Sequence, residues 1–301
     1  MNLRQINYLL AVVEEGSFTR AAQRLSVAQP SLSQQIRALE SELGGPLLER
    51  MPNGVQLTAA GRAFLPDARA AASHATRAAE AVRHTLGIPG GQLEVATVTS
   101  LAVGLLPDVL ARWHRLHGET TVHLQEFPHR RLLYEAVRSG LGDVALGPRP
   151  ANWPGPVISL GWEEFVVVLA SHDPLAQSNG QRVSLDQLAD RDWVLMEPGH
   201  GLHDVTQRAL ASAGFVPRAA VRTGQVAAAA QLAAAGLGPT LLGSNAIPAG
   251  LDAALLHVRP RLVREVVAFT RSAWSPAADE FLKLLGKLPM RTRPRGSELI
   301  S

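Results

Sequence analysis

The sequence of 301 residues contains no cysteine. A chain without thiols forms no disulfide framework, holds no thiolate zinc site and has no cysteine nucleophile or thiol redox switch. Lysine is also scarce, since only Lys283 and Lys287 stand among the 29 basic residues and the others are arginine. The planar guanidinium of arginine suits bidentate binding of phosphate or carboxylate. Genome composition produces the same bias, so the arginine content is weak evidence for an anionic partner.

Long apolar runs are missing as well. The most apolar stretches, Phe165 to Ala170 and Val226 to Leu237, are shorter than the roughly 18 to 20 apolar residues of a membrane span. The N-terminus lacks the apolar run and the small-residue cleavage site of a secretory signal. We therefore predict no contact with a membrane and a cytoplasmic location.

Length and charge set further limits. A chain of this length predicts about two domains, at ~150 residues per domain. Its composition, with 46% hydrophobic and 18% charged residues, is typical of globular proteins. Three arginines against one glutamate in residues 291–301 account for two units of the net charge of +3. We expect these residues to form a disordered tail, which leaves the overall charge weak evidence for a polyanion partner.

The first 58 residues predict a head of short helices. Helical spacing of apolar residues ends at Gly16, and Ser17 can cap a second helix. Pro30 suits the first turn of a third helix, which Gly44 ends. Three helices are therefore expected before residue 45.

The third helix has two contrasting faces. One is an apolar stripe that predicts burial, made of Leu32, Ile36, Leu39 and Leu43. At about 100° per residue, the opposite face collects Pro30, Ser33, Gln34, Arg37 and Ser41, with Ser31 at its edge. Serine, glutamine and arginine hydrogen-bond base edges and phosphates. The spacing alone leaves open both a DNA-reading helix and an ordinary polar, exposed one.

The neighbouring segments favour DNA binding. A short helix, a turn at residues 25–28 and the polar-faced helix make a helix-turn-helix, whose second helix enters the major groove. Two short apolar runs then flank Pro52-Asn53-Gly54, which is a strong hairpin signal. We therefore predict a winged helix-turn-helix over residues 1–58. Arg50 at the hairpin base would face a phosphate or pair with a surface carboxylate.

A long helix is predicted over residues 59–86. Its apolar positions are spaced by four or three and are mostly alanine, namely Phe64, Ala68, Ala71, Ala75, Ala79, Val82 and Leu86. Small side chains let two helices approach closely, so this alanine seam predicts a dimer contact, with packing against the chain's own body as the alternative. Pro66 inside the pattern should bend the helix. The glycine-rich residues 87–91 predict a hinge.

From residue 92 to residue 290, strands alternate with helices. The predicted strands are 93–98, 121–125, 143–147, 165–170, 193–196, 219–223, 240–243 and 266–270. The predicted helices are 105–117, 131–139, 202–213, 226–235 and 277–288. Such alternation indicates a doubly wound α/β body.

Several motifs resemble those of the LysR-type transcriptional regulators, and the match covers nearly the whole chain. FTRAAQRLSVAQPSLSQQIRALESELG at 18–44 and LTAAG at 57–61 are similar to that family's DNA-binding signature. SGLGDVAL at 139–146, AGFVP at 213–217 and AAAGLG at 233–238 are similar to its effector-binding domain.

The resemblance implies a domain plan as well. A winged helix-turn-helix head precedes a linker helix and a two-subdomain α/β effector domain like the periplasmic binding proteins. Subdomain I is expected at about 92–162 and 266–290, and subdomain II at about 163–265.

The same resemblance implies the partners. They are double-stranded DNA with a pseudo-palindromic operator, a small-molecule effector, a second copy of the chain in a homodimer that often becomes a homotetramer, and RNA polymerase. Residue by residue, the resemblance implies groove-reading and phosphate contacts at Gln29, Pro30, Ser31, Ser33, Gln34 and Arg37, with Thr19 and Arg50 clamping the DNA backbone. We predict in addition that a ligand closing the two subdomains changes the spacing of the paired DNA-binding heads through the hinge at residues 87–91, as a population shift between two oligomer shapes.

In that family the effector lies between the subdomains, at strand-to-helix turns where backbone N–H groups converge on an anion. The matching turns carry Thr99, Ser100, Pro128, His129, Gly147, Gly199, His200, Gly201, Thr223 and Gln225. Thr99 and Ser100 place paired hydroxyls after the first strand of the body, so we predict an organic anion there. The alternatives are that both merely cap a helix and that the two histidines are ordinary surface residues.

Two alternative classes of protein are an enzyme and a solute-binding transport protein. Against an enzyme, the sequence has no G-x-S-x-G, no G-x-x-x-x-G-K-[ST], no G-x-G-x-x-G after a strand and no H-E-x-x-H. The pairs His172-Asp173 and His203-Asp204 have diverging side chains, and we expect no catalytic residue, no metal and no cofactor. A solute-binding transport protein would share the α/β body, but the helix-turn-helix and the missing signal argue against it.

Overall fold

The computed structural model describes residues 1–51, 54–85, 91–178 and 181–300. The chain divides into two compact units. The first contains the N-terminal residues through the long helix together with residues 136–141, and the second contains the rest.

The first unit is a head of three helices and a hairpin, followed by a long helix. Its elements are α1 (Leu3–Glu15), α2 (Phe18–Arg24), α3 (Gln29–Leu43), β1 (Leu48–Met51), β2 (Gly54–Leu57) and α4 (Ala59–Thr85). Gly16 and Gly44 end α1 and α3 with φ of 59° and 82°, as predicted. Ser17 accepts a hydrogen bond from the Arg20 amide, and Pro30 lies in the first turn of α3. The antiparallel pairing of β1 with β2 confirms the predicted wing.

An apolar core holds the head together. Leu32 and Ile36 of α3 are fully buried in a cluster that includes Val12 of α1, and Leu39 is fully buried beside them. Burying each such side chain contributes about 1.5 to 3 kcal/mol. Leu43, predicted as the fourth member of the stripe, is instead 43% exposed at the last turn of the helix.

Helix α4 continues through Pro66, as the long-helix prediction required. The bend predicted at Pro66 stays a prediction. Along the alanine seam, Ala68 is buried and Val82 is 58% exposed. The C-terminal part of the seam therefore has apolar surface available to a second copy.

Some predicted features lie outside the described residues. They are Leu86 at the end of the linker helix, residues 87–90 of the hinge and residues 52–53 of the wing turn. Gly91, the last hinge residue, begins the first strand of the second unit.

The second unit is an α/β domain. Its described strands are β3 (Gly91–Val98), β4 (Thr120–Phe127), β5 (Val144–Pro148), β6 (Val157–Leu169), β7 (Arg182–Ser184), β8 (Asp192–Met196), β9 (Arg218–Thr223), β10 (Thr240–Gly243), β11 (Ala254–Arg259), β12 (Leu262–Phe269) and β13 (Glu298–Leu299). Its described helices are α5 (Thr99–Ala102), α6 (Leu106–Leu116), α7 (Arg130–Arg138), α8 (Pro174–Ser178), α9 (Gly201–Ser212), α10 (Val226–Ala234) and α11 (Pro276–Leu285).

Strands β6 and β12 run through both halves of this domain. The main sheet has the order β4-β3-β5-β12-β6-β11-β7, with β10 beside β6 and β13 beside β12, while β8 and β9 form a separate sheet. One core includes Trp113 and Phe281, and the other includes Trp193 and Leu210. The register of β6 and β12 shifts between residues 266 and 267, next to the expected subdomain boundary. The two-subdomain α/β architecture is confirmed.

The sequence patterns missed part of the sheet. Strand β6 begins at Val157, whereas the sequence predicted a start at residue 165. The first half was missed because it is only partly buried and carries Gly161 and Glu163 in place of an apolar alternation. The short strands β7, β11 and β13 were not predicted either.

The expected disordered tail at 291–301 is wrong for residues 291–300. Strand β13 pairs in parallel with the start of β12, and Ile300 is buried in the core of subdomain II. Arg291 Nη1 donates to Glu164 Oε2 at 2.8 Å. A buried carboxylate needs a cation and a strand edge needs backbone partners, and the tail supplies both to its own domain. In the described ranges, no helix combines the length and apolarity that crossing a membrane requires.

Candidate functional site

Helix α3 carries most of the predicted DNA-contacting residues. Pro30, Ser31, Gln34 and Arg37 are exposed, and Gln29 is partly buried. The N-terminus of α3 has no side-chain cap, so its first N–H groups stay available to an anion such as a phosphate. The helix therefore offers both base-reading and phosphate-binding groups.

The remaining predicted contacts are placed differently. Ser33 is only 3% exposed, and its hydroxyl accepts a hydrogen bond from Arg37 Nη2 at 3.2 Å. It orients Arg37 instead of facing outward with it. Thr19 is exposed on α2. Arg50 lies in β1, and its side chain is not among the described ones.

Short hydrogen-bonded turns fix the position of α3 and the wing. Ser26, between α2 and α3, has a φ of 53°, and the Val27 amide donates to the Ala22 carbonyl at 3.0 Å. The Val55 amide of the wing donates to the Gly16 carbonyl at 3.1 Å. Helix α3 and the wing are thus tied to a common core.

In the α/β domain, Ser100 lies at the start of α5 and is buried. Its hydroxyl accepts a hydrogen bond from Arg264 Nη2 at 2.9 Å. Arg264 also forms an ion pair with the fully buried Glu163 and lies 5.2 Å from the Phe165 ring centre. Ser100 is therefore linked to both shared strands, β6 and β12.

Sequence reasoning missed Arg264 and Glu163. Each interrupts an apolar strand at a buried position. Because a buried charge is stable only when it is paired, two opposite charges inside apolar strands were a usable signal.

His200 is the second buried polar group of this site. Its Nδ1 accepts a hydrogen bond from the Leu202 amide at 3.1 Å, which caps α9. In the neutral ring the proton must then be on Nε2, and this atom is buried without a hydrogen-bond partner among the described residues. Burial lowers the pKa of His200 to about 4, and His129 and Arg264 nearby act in the same direction. The ring therefore stays neutral and presents an unused N–H donor.

These groups surround a small cavity between the subdomains. Five predicted residues line it, namely Ser100, Pro128, His129, His200 and Gly201. The cavity holds about 30 Å³, which is room for a small cluster of water molecules. A larger ligand therefore requires its two sides to separate.

Two contacts join the sides of this cavity. His129 Nε2 lies 3.1 Å from Asp204 Oδ2, and the Gly201 amide donates to the Pro128 carbonyl at 2.8 Å. One partner of each pair belongs to subdomain I and the other to α9 or its start in subdomain II. Opening the cavity must break or stretch both.

Five predicted effector contacts are not among the residues lining the cavity, and all lie in the described ranges. They are Thr99, Gly147, Gly199, Thr223 and Gln225. Thr99 Oγ1 donates to the Phe127 carbonyl at 3.1 Å, and Thr223 Oγ1 accepts from the Gln225 amide at 3.1 Å. The Thr99 hydroxyl therefore ties the end of β3 to the end of β4, and the Thr223 hydroxyl bonds within its own turn. Helix α5 has no side-chain cap, so the structure does not support the alternative that Thr99 caps a helix.

The lining has the chemistry of an anion site. Arg130, Arg208 and Arg264 line it together with two histidines, and Asp204 is the sole carboxylate among the described lining residues. Such a surplus of cations and N–H donors attracts negative charge. Among the described residues, those of this cavity included, no three His, Asp or Glu side chains group as metal ligands would.

The state of His200 predicts a pH-dependent stability. The folded-state pKa of about 4 lies below the value of about 6.5 expected in the unfolded chain, so the unfolded chain binds more protons between these values. The stabilisation is therefore present above the unfolded pKa and lost as pH falls through this window. We expect the free energy of unfolding to drop by about 2 kcal/mol more in the native protein than in His200→Gln, between about pH 7 and about pH 5. Urea denaturation of both proteins measures this difference, and equal pH slopes would contradict it.

Known proteins match the chain over nearly its full length. Residues 3–62 match the family described as bacterial regulatory helix-turn-helix protein, lysR family, and residues 86–288 match the LysR substrate binding domain. The HTH-type transcriptional regulator TfdS of Cupriavidus pinatubonensis is 32% identical over 286 residues, covering 94% of this chain and 92% of TfdS. ClcR of Pseudomonas putida is 33% identical over 247 residues, 80% of this chain and 82% of ClcR.

A solved structure extends the similarity to a DNA complex. Full-length CbnR bound to its target DNA superimposes with a TM-score of 0.64 at 27% identity, covering 95% of this chain and 99% of that one.

Proposed function

The chain belongs to the LysR family of bacterial transcriptional regulators, and from this premise we propose which of its residues read DNA and what kind of effector it senses. It is a DNA-binding regulator with an effector-binding domain, it acts as an oligomer, and it is not an enzyme. We place it in the cytoplasm, where its DNA is.

Helix α3 is the proposed reading element. The observation that carries this proposal is its exposed polar face, with Pro30, Ser31, Gln34 and Arg37 on one side and a buried apolar stripe on the other. Arg37, held by Ser33, contacts guanine or a phosphate, and Gln34 contacts adenine. Because a twofold oligomer presents two such helices, the operator is pseudo-palindromic.

The proposed effector is a small organic anion in the cavity between the subdomains. Its negative group accepts a hydrogen bond from His200 Nε2–H and lies near Arg264, Ser100 and the start of α9. A buried N–H donor without a partner carries a free-energy cost, which an anionic acceptor removes. Binding separates the contacts at His129 and Gly201, which opens the subdomains instead of closing them as predicted from the sequence, so the effector selects a different arrangement of the subdomains.

DNA binding by α3 is tested by fluorescence anisotropy. The full-length protein is titrated into its own upstream intergenic DNA and into scrambled DNA at one fixed salt concentration, because phosphate contacts make affinity depend on salt. Arg37→Ala should weaken specific binding by about 1 to 3 kcal/mol if Arg37 contacts a base, and should weaken binding to both DNAs equally if it contacts a phosphate.

The matched control is Arg115→Ala, which removes an exposed arginine from α6 of the other unit. Its affinity should equal that of the native protein. If Arg37→Ala bound both DNAs as the native protein does, α3 would not be the reading element.

A further inference from the structure

The C-terminal residues join the two subdomains of the α/β domain. Helix α11 packs in the core of subdomain I through Phe281, and Leu288 after it packs against the same core. Ile300, at the other end of the segment, is 6% exposed in the core of subdomain II. We name residues 289–300 the C-terminal strap. It connects the subdomains in addition to strands β6 and β12, which run through both.

The C-terminal strap contacts β6 at the expected boundary between the subdomains. The Trp162 amide of β6 donates to the Arg291 carbonyl at 2.9 Å, and the Arg293 guanidinium lies 5.2 Å from the Trp162 ring centre. A Cβ at the neighbouring Gly161, whose φ is 133°, would lie 2.5 Å from Met290 Cβ. The strap therefore covers the place where β6 passes from one subdomain into the other.

A buried carboxylate fixes the strap to subdomain II. The Glu164 side chain is 1% exposed, and its Oε2 accepts a hydrogen bond from Arg291 Nη1 at 2.8 Å. Its Oε1 lies 2.8 Å from His257 Nδ1 of β11 and 3.5 Å from Arg261 Nε. Hydrogen bonds between charged groups are roughly twice as strong as those between neutral groups. Arg291 is therefore a firm anchor between the strap and the strands of subdomain II.

Backbone hydrogen bonds hold the end of the strap. The Glu298 amide donates to the Arg261 carbonyl at 2.8 Å, and the Ile300 amide donates to the Val263 carbonyl at 2.9 Å. Both carbonyls belong to the β11–β12 turn or to the start of β12. The strap thus begins in the core of subdomain I and ends as part of subdomain II.

We propose that the C-terminal strap limits the opening of the cavity between the subdomains. Leu288 and Arg291 are three residues apart, a length of chain that spans about 10 Å when fully extended. Because these two residues are fixed to different subdomains, wide opening requires the bond between Arg291 and Glu164 to break. The strap thus stabilises the closed arrangement, in which the Gly201 amide donates to the Pro128 carbonyl. An effector that opens the cavity binds more tightly once the strap is released, and this consequence alone rests on the function proposed above.

The test is hydrogen exchange of the full-length protein, measured at single residues by mass spectrometry. The Gly201 amide reports opening, because its partner Pro128 belongs to the other subdomain and exchange requires this bond to break. Arg291→Ala should raise its exchange rate at least about tenfold, the effect expected on loss of a hydrogen bond to a charged group. The Glu197 amide, which donates to the Thr223 carbonyl within subdomain II, should exchange as in the native protein.

Two control variants distinguish release of the strap from general destabilisation. Arg295→Ala removes an exposed arginine of the same strap, and Leu169→Ala leaves a void in the core of subdomain II that holds the strap's end. Both should leave the exchange of Gly201 close to that of the native protein. The proposal is overturned if Arg291→Ala does not speed this exchange, or if either control speeds it equally. An equal rise at Glu197 would mean local unfolding of subdomain II and would overturn it as well.

Discussion

Replacing Arg264 with methionine should lower the free energy of unfolding of the α/β domain by about 3 to 5 kcal/mol, the cost of breaking a buried ion pair. Arg264 is 5% exposed, pairs with the fully buried Glu163 and donates to Ser100. Methionine keeps an apolar stem beside Phe165, so most of the loss comes from leaving the Glu163 carboxylate buried without a cation. Urea denaturation followed by tryptophan fluorescence measures it, since all five tryptophans lie in this domain.

The double variant Arg264→Met with Glu163→Gln removes both charges and should recover much of this loss. A matched control is Arg149→Met, which breaks the more exposed pair of Arg149 with Glu265. Exposed ion pairs contribute about 0 to 1 kcal/mol, so this change should be small. If Arg264→Met lowered the free energy of unfolding no more than Arg149→Met does, the ion pair of Arg264 with Glu163 would not be buried in solution.

The head was largely predictable from the sequence because its signals are local. Gly16, Ser17, Pro30 and Gly44 mark helix ends through the conformations and hydrogen bonds of neighbouring residues. The helical spacing separated the buried stripe of α3 from its outer face. It placed Ser33 outside, however, because a helical wheel gives the direction of a side chain but not which groups cover it, and Ser33 is only 3% exposed.

The small cavity between the subdomains, lined by Ser100, His200 and Arg264, was only half predictable. Ser100 and His200 follow from their positions at turns after strands, which is a local feature. Arg264 is 164 residues away from Ser100 along the chain. The two meet because β3, which precedes Ser100, and β12, which carries Arg264, both pair with β5 in the sheet. The strand at 298–299 was missed for the same reason, because its partner is the distant β12 and two residues are too short to show an alternating pattern.

Gly61→Ala should disable the DNA-binding head. A Cβ at this position would lie 2.0 Å from the Leu47 carbonyl oxygen and 2.9 Å from Leu57 Cδ2. The Leu47 carbonyl cannot move away freely, because it accepts a hydrogen bond from the Thr58 amide at 3.0 Å. Thr58 Oγ1 in turn accepts from the Gly61 amide and donates to the Pro46 carbonyl. We expect a loss of about 3 kcal/mol in the stability of the head, typical of severe overpacking, and loss of specific DNA binding.

Gly45→Ala is the matched control within the same head. A Cβ at Gly45 would meet nothing within 4 Å, and Gly45 does not have a positive φ, so its stability and DNA affinity should stay within about 0.5 kcal/mol of the native protein. Circular dichroism in urea should show part of the helical signal of Gly61→Ala lost early, while the tryptophan transition of the α/β domain is unchanged. Anisotropy with operator DNA gives the second readout. Equal behaviour of the two variants would mean that the wing and the start of α4 do not approach each other this closely.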